Sequence, residues 1–71
     1  MSDKDIIKAV ISVSGLSVTS LCSDNFLFCL ASLYPDLGLK RSLGLYQRVR
    51  TGLYYGYRSL EDFEKELESE D

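Results

Sequence analysis

The residues of this chain best suited to chemistry are two cysteines, a run of carboxylates, and a group of arginines and tyrosines. They do not form a catalytic set. The chain has no histidine, which is the commonest general base at neutral pH. Its acids are concentrated in residues 61–71, which are typical of a solvated face and not of an enclosed pocket. Cys22 and Cys29 have no base near them in the sequence. We therefore expect a protein that is not an enzyme and has no catalytic residues.

The two cysteines predict neither a metal centre nor a disulfide. No histidine is present to complete a zinc site with Cys22 and Cys29. On a helix these cysteines would lie two turns apart, about 10 Å, beyond the limit of about 7 Å for the Cα atoms of a disulfide. A redox pair is the alternative. We expect both thiols to stay reduced, in a cytoplasmic protein without metal or other cofactor.

A binding surface is the remaining function, and residues 37–58 are its strongest candidate. This stretch holds five of the eight basic residues, four of the five tyrosines, four of the five glycines and no acid. As an α-helix it divides into two faces. The apolar face is predicted to lie in the core and consists of Leu39, Leu43, Tyr46, Val49, Leu53 and Tyr57. The opposite face is the predicted partner-binding surface and consists of Arg41, Leu45, Arg48 and Tyr55.

Three residues of this predicted helix do not fit a simple two-faced pattern. Gly44 and Gly52 border the basic face, and glycine inside a helix costs about 0.5–1 kcal/mol relative to alanine. Either a partner approaches the backbone closely there, or the helix kinks or breaks near Gly52. Arg50 falls within the apolar stripe, so we expect it to extend to the surface or to pair with an acid of the last helix.

Charge is divided along the chain, and this division suggests the kind of partner. Residues 37–58 carry +5 and residues 61–71 carry −6, within a net charge of −3. The two segments either neutralise each other by packing side by side, or the basic face binds an acidic partner. Because arginine and tyrosine are enriched at interface hot spots, we predict a protein-binding module, such as an adaptor, a regulatory inhibitor or an assembly subunit. Nucleic-acid binding by the same arginines is the alternative, although an acidic chain repels phosphate.

Apolar spacing predicts that helices position these residues. Ser2 and Asp5 resemble a capping box, which indicates a first helix from Asp3 to Val13, ended near Gly15. The β-branched residues between positions 10 and 21 leave a β-hairpin as an alternative.

The serine-rich connection that follows is expected to contain a helical turn from Val18 to Cys22. A helix-turn-helix is also conceivable there, but its second helix would bring no basic side chain to DNA. The next helix is predicted from Asp24 to Tyr34, with Ser23 or Asp24 as its cap and Pro35 as its stop.

This central helix is apolar on nearly every side, so it must be covered on several sides. Two interpretations stay open. It is either the buried centre of a monomer, or the protein forms a homodimer or larger oligomer through it. The residues predicted for self-association are Phe26, Phe28, Leu30 and Leu33.

The chain is predicted to end in a short acidic helix. Ser59 and Asp62 resemble a second capping box, and Leu60, Phe63 and Leu67 form a narrow apolar stripe. Residues 68–71 are expected to fray, because acids at a helix C-terminus oppose the helix dipole.

Together these signals predict one all-α domain over residues 1–71, built as a small bundle of three main helices plus the short acidic C-terminal helix. The longest apolar run covers residues 26–31, and a membrane-spanning helix needs about 18–20 residues. We therefore expect no membrane segment.

Overall fold

The computed structural model describes residues 2–56 and 59–69, and over these residues the fold is all-α, as predicted. Five α-helices and one π-helical turn follow each other: α1 Asp3–Ser14, α2 Val18–Leu21, α3 Asp24–Leu33, α4 Leu39–Val49, the π-helical turn Arg50–Tyr55, and α5 Leu60–Ser69. The described residues contain no strand, so the hairpin considered for residues 10–21 is wrong. That stretch forms the end of α1 and all of α2.

Serine hydroxyls begin most of the helices. Each accepts a hydrogen bond of 3.2–3.3 Å from a backbone N–H two or three residues further on, and the four serines are Ser2, Ser17, Ser23 and Ser59. These bonds satisfy N–H groups that have no partner inside the helix. Gly15 ends α1 with a φ of 63°, in the left-handed region that favours glycine. The predicted helix starts and the stop at Gly15 are confirmed.

The core contains side chains from all five α-helices and from the π-helical turn. α3 lies at its centre and contacts α1, α2 and α4. The buried apolar residues are Ile6, Ile7, Val10, Ile11, Leu21, Phe26, Leu30, Leu45, Val49, Leu53, Phe63 and Leu67. Self-association through Phe26 and Leu30 is therefore wrong, because both side chains are fully buried within the chain. Phe28 and Leu33 remain exposed.

The C-terminal part differs from the prediction in two ways. The α4 helix continues directly into the π-helical turn, so the chain does not break near Gly52 but changes its helical hydrogen-bonding pattern there. Helix α5 is as long as α3 and packs against α1 and the π-helical turn. Glu68 and Ser69, which were expected to fray, belong to α5. The predictions for Tyr57, Arg58, Glu70 and Asp71 lie outside the described residues.

No helix within the described part of the chain is long and apolar enough to cross a membrane. The described residues measure 29 × 26 × 20 Å along their principal axes. In α4 and the π-helical turn, Leu45, Val49 and Leu53 are buried, and the other residues are exposed or half-buried.

Candidate functional site

The buried side of α4 differs from the side that the sequence predicts. Leu45 and Val49 are buried, whereas Leu39 is 74% exposed and Leu43 is 41% exposed. On a helical wheel of about 100° per residue, the buried side is rotated by roughly 60° from the predicted one. Leu45 therefore cannot contact a partner, and its assignment to the binding surface is wrong. Leucines lie on both sides of this wide apolar arc, and packing against α1 and α3 decides which of them are buried.

Arg41, predicted to bind a partner, forms an ion pair within the chain. Its Nη2 atom lies 2.9 Å from Oδ1 of Asp3, and its Nε atom donates to the same oxygen at 3.1 Å. Both side chains are about half exposed, so the pair adds at most about 1 kcal/mol. This contact fastens the start of α4 to the start of α1.

Arg48 lines a groove beside α5. The groove has a volume of about 570 Å³, and Gly44, Gly52, Phe63 and Glu66 also line it. Arg48 and Glu66 bring opposite charges to the same groove. The basic and acidic segments thus pack side by side at this place, which was one of the two interpretations of the divided charge.

Gly52 is required by a contact inside the chain. A Cβ atom added to Gly52 would lie only 2.7 Å from Cδ1 of the Phe63 ring, which is closer than real Cβ atoms approach other atoms. A Cβ atom added to Gly44 would meet nothing within 4 Å. The close approach predicted at Gly52 is therefore made by α5 and not by a partner.

Arg50 is held between two tyrosine rings, a placement that the sequence did not predict. Its Cζ atom lies 5.5 Å from the centre of the Tyr46 ring and 5.7 Å from that of Tyr55. Its Nη2 atom also donates a hydrogen bond of 3.4 Å to the Tyr55 hydroxyl. Among the described residues no acid pairs with Arg50, so the structure does not show the second of the two alternatives predicted for this residue. The Nε atom of Arg50 is buried and has no hydrogen-bond partner in the part of the chain that the structure describes.

The π-helical turn brings Tyr55 to Arg50. In an α-helix, residues five apart point about 140° away from each other. A π-helix closes its hydrogen bonds between residues i and i+5, so these residues come together on one side. Arg50 and Tyr55 begin and end this turn. Tyr55 therefore does not lie on the same side as Arg41 and Arg48, as predicted, but on the opposite side of the helix.

The resulting surface, which we name the outer row, is a line of apolar, aromatic and cationic side chains. Its residues are Leu39, Leu43, Tyr46, Arg50, Tyr54 and Tyr55. Steps of three or four residues place Leu39 to Tyr54 on one side of the helix, and the π-helical turn brings Tyr55 to the same side. Tyr54 is 59% exposed and Tyr55 is 62% exposed, and their rings meet edge to face with centres 5.1 Å apart. The sequence pattern groups the first three of these residues, but it assigns them to the core.

Tyr46 fastens the outer row to the core. Its ring stacks on buried Phe26 with centres 6.2 Å apart, and its hydroxyl donates a hydrogen bond of 3.2 Å to the Cys22 carbonyl. The Arg50 guanidinium is thus supported by a ring whose own position is fixed. This side of the helix is consequently ordered before any partner arrives.

Cys22 lies behind the outer row and is poorly suited to nucleophilic chemistry. Burial raises the pKa of its thiol, against smaller lowering effects of a hydrogen bond from the Tyr54 backbone and of the Arg50 charge. A thiol with a raised pKa forms less of the reactive thiolate at neutral pH. Cys22 and Cys29 are both free thiols. Within the described residues no three His, Cys, Asp or Glu side chains come together as metal ligands.

The four residues predicted to bind a partner thus have four different environments. Tyr55 is exposed in the outer row, Leu45 is buried, Arg41 is paired with Asp3, and Arg48 lines the groove beside α5. Comparisons with protein-family models, curated proteins and solved structures gave no match, so the function is inferred from the residues and geometry above.

Proposed function

We propose that the protein is a non-enzymatic binding module whose outer row binds a segment of another protein. The observation that carries this proposal is the exposure of four large side chains along one side of α4 and the π-helical turn. They are Leu39, Leu43, Tyr54 and Tyr55. Burying such surface is favourable by about 25 cal/mol per Å² of apolar area. The outer row also combines arginine and tyrosine, which are enriched at interface hot spots.

The charge of the outer row indicates the chemistry of the partner. Residues 37–60 contain no acid, and Lys40 lies next to the row on α4. Helix α5 carries five of the eleven acids of the chain. It contacts α1 as well as the π-helical turn, and Glu68 forms an ion pair with Lys8 of α1. We therefore expect a partner segment with apolar side chains flanked by carboxylates, since complementary charge favours association. Such a module would act as an adaptor, a regulatory inhibitor or an assembly subunit.

A nucleic-acid partner is the competing proposal. The exposed rings of Tyr54 and Tyr55 beside Arg50 could stack on unpaired bases. The outer row, however, offers one arginine, and few phosphate contacts give weak binding that falls steeply with salt. Protein binding is therefore favoured. The free thiols lead us further to propose a reducing compartment such as the cytoplasm.

The proposal is tested by comparing two substitutions of equal chemistry. Leu39→Ser removes an exposed leucine from the outer row, and Val13→Ser removes a similarly exposed valine from α1, 68% exposed. Each protein is immobilised and used to capture partners from the source cells, and each captured protein is then purified and titrated calorimetrically. We expect Leu39→Ser to weaken binding of a true partner by about tenfold, and Val13→Ser to leave it unchanged.

Two results would contradict the proposal. The first is a set of purified partners that bind Leu39→Ser as tightly as the unchanged protein. The second is binding to random single-stranded DNA or RNA at physiological salt that needs the outer row and weakens steeply with added salt, which would favour the nucleic-acid alternative. Melting temperatures of both variants show whether they are folded.

A further inference from the structure

A small pocket lies beside Arg50 on the outer row. Its lining residues are Gln47, Arg50, Thr51 and Tyr55, and its volume is about 150 Å³. Since a water molecule occupies about 30 Å³ in the liquid, this pocket is on the scale of one side chain. Gln47, Thr51 and Tyr55 are exposed, so a side chain from outside can reach it.

The cation in this pocket is held in place before any ligand binds. Tyr46 and Tyr55 each lie within 6 Å of the Arg50 guanidinium, and the Tyr55 hydroxyl accepts a hydrogen bond from Nη2. Stacking on ring faces does not use the N–H donors of a guanidinium, because these donors point along its edges. Because its rotamers are already restricted, binding at Arg50 costs less side-chain entropy than binding at a free arginine.

The charge of Arg50 lacks a counter-ion among the described residues. The carboxylates of Asp3, Glu61 and Glu68 pair with other cations. Removing a cation partly from water without pairing it with an acid is unfavourable in free energy. An external carboxylate would offset this desolvation cost. The amide of Gln47 and the hydroxyl of Thr51 add neutral hydrogen-bonding groups. One cation among neutral groups matches a carboxylate better than a phosphate group, which carries about two charges.

We propose that this pocket binds the carboxylate of a glutamate or aspartate on the partner protein, as the polar anchor of the outer-row interface. The inference rests on the proposed protein-binding function and names the side chain that the partner must present. Leu43 and Arg50 lie seven residues apart, about 10 Å along the helix axis. A helical partner segment lying alongside would therefore carry an apolar residue and an acid about seven residues apart.

A peptide selection followed by a double-mutant cycle tests this inference. Phage-displayed random peptides of about 16 residues, long enough for about four helical turns, are selected against the full chain. Enriched peptides are synthesised with each acid in turn replaced by its amide, and their affinities are measured for the unchanged protein and for Arg50→Met. We expect that one acid of each peptide contacts Arg50. Replacing this acid by its amide should weaken binding to the unchanged protein about tenfold, and should weaken binding to Arg50→Met less than about twofold.

Arg50→Lys provides a second variant if Arg50→Met does not fold, because lysine keeps the positive charge but lacks the planar guanidinium group. We expect it to bind the acidic peptide several-fold more weakly than the unchanged protein does. Three results would overturn the inference. Enriched peptides could share no acid, the amide replacement could weaken binding equally in both proteins, or Arg50→Lys could bind as tightly as the unchanged protein.

Affinities of the same peptides for Leu39→Ser separate failure of this inference from failure of the proposed function. Peptides that bind in a Leu39-dependent manner but ignore Arg50 would leave the outer row as an interface and remove the carboxylate pocket. Selection that yields no peptide dependent on Leu39 or Arg50 counts against both.

Discussion

At the level of single residues, the Phe63 ring of α5 lies so close to Gly52 that a Cβ atom at this position would overlap it. Gly44 lies eight residues earlier in the same continuous helical segment and has open space beside it. The two glycines therefore have the same chemistry but different surroundings, and they form a natural pair for comparison.

We predict opposite effects for alanine at these two positions. Gly52→Ala should destabilise the protein by about 1–3 kcal/mol, because the new methyl group displaces the Phe63 ring in a packed core. Gly44→Ala should stabilise it by about 0.5–1 kcal/mol, because alanine is the better helix former at an open site. Urea unfolding of both variants provides the measurement. Equal free energies of unfolding for the two variants would show that the ring yields without cost.

Among the elements, α5 is held in the bundle by apolar contacts and by an ion pair with α1. Phe63 and Leu67 are buried, and Nζ of Lys8 lies 3.0 Å from Oε1 of Glu68. The hydrogen bond from Lys8, together with its charge, lowers the pKa of Glu68 from its ordinary value of 4.5. Because the folded pKa is depressed, this pair contributes stability above pH 4.5, and the contribution is lost as the pH falls through the folded pKa.

Substitution of Lys8 should therefore change the titration of Glu68. In the unchanged protein we expect the Glu68 carboxyl carbon, followed by NMR, to titrate below 4.5. In Lys8→Met its pKa should rise towards 4.5, since the donor is gone. Lys65→Met is the control, because Lys65 pairs with Glu61 on α5 and not with Glu68. A Glu68 pKa that stays low in Lys8→Met would show that the ion pair does not form in solution.

For the molecule as a whole, the position of α3 decides which of its side chains belong to the core and which stay exposed. Phe26 and Leu30 belong to the core, whereas Phe28 is 72% exposed and Leu33 lies at the exposed end of the helix. The interpretation of α3 as a buried central helix thus holds for its inner side. Self-association through the outer side, by Phe28 and Leu33, stays a prediction.

Two substitutions on α3 separate these roles. Leu30→Ala should lower the free energy of unfolding by about 2–5 kcal/mol, a large fraction of the about 5–15 kcal/mol typical of a domain, because it leaves a cavity. Phe28→Ser should change that free energy little. By sedimentation equilibrium at tens of micromolar, we expect the unchanged protein above its monomer mass of 8.0 kDa and Phe28→Ser at that mass. An unchanged protein that sediments only as monomer would remove self-association.

The sequence by itself determined the helices of this protein. Serine caps, the stop at Gly15 and the apolar spacing all act through neighbours a few residues away, so they can be read without knowing the fold. That is why the starts of α1 and α3, the turn at Val18 and the all-α class were predicted correctly.

Only the tertiary structure decided which side of α4 faces the core. Its apolar arc is wide enough to be buried on either side, and the contacts with α1 and α3 bury Leu45 and expose Leu39. The π-helical turn then changes the helical phase and brings Tyr55 to Arg50. The buried side of α4 and the position of Tyr55 both depend on packing between residues that are distant in the sequence. The local spacing of apolar residues contains no information about that packing.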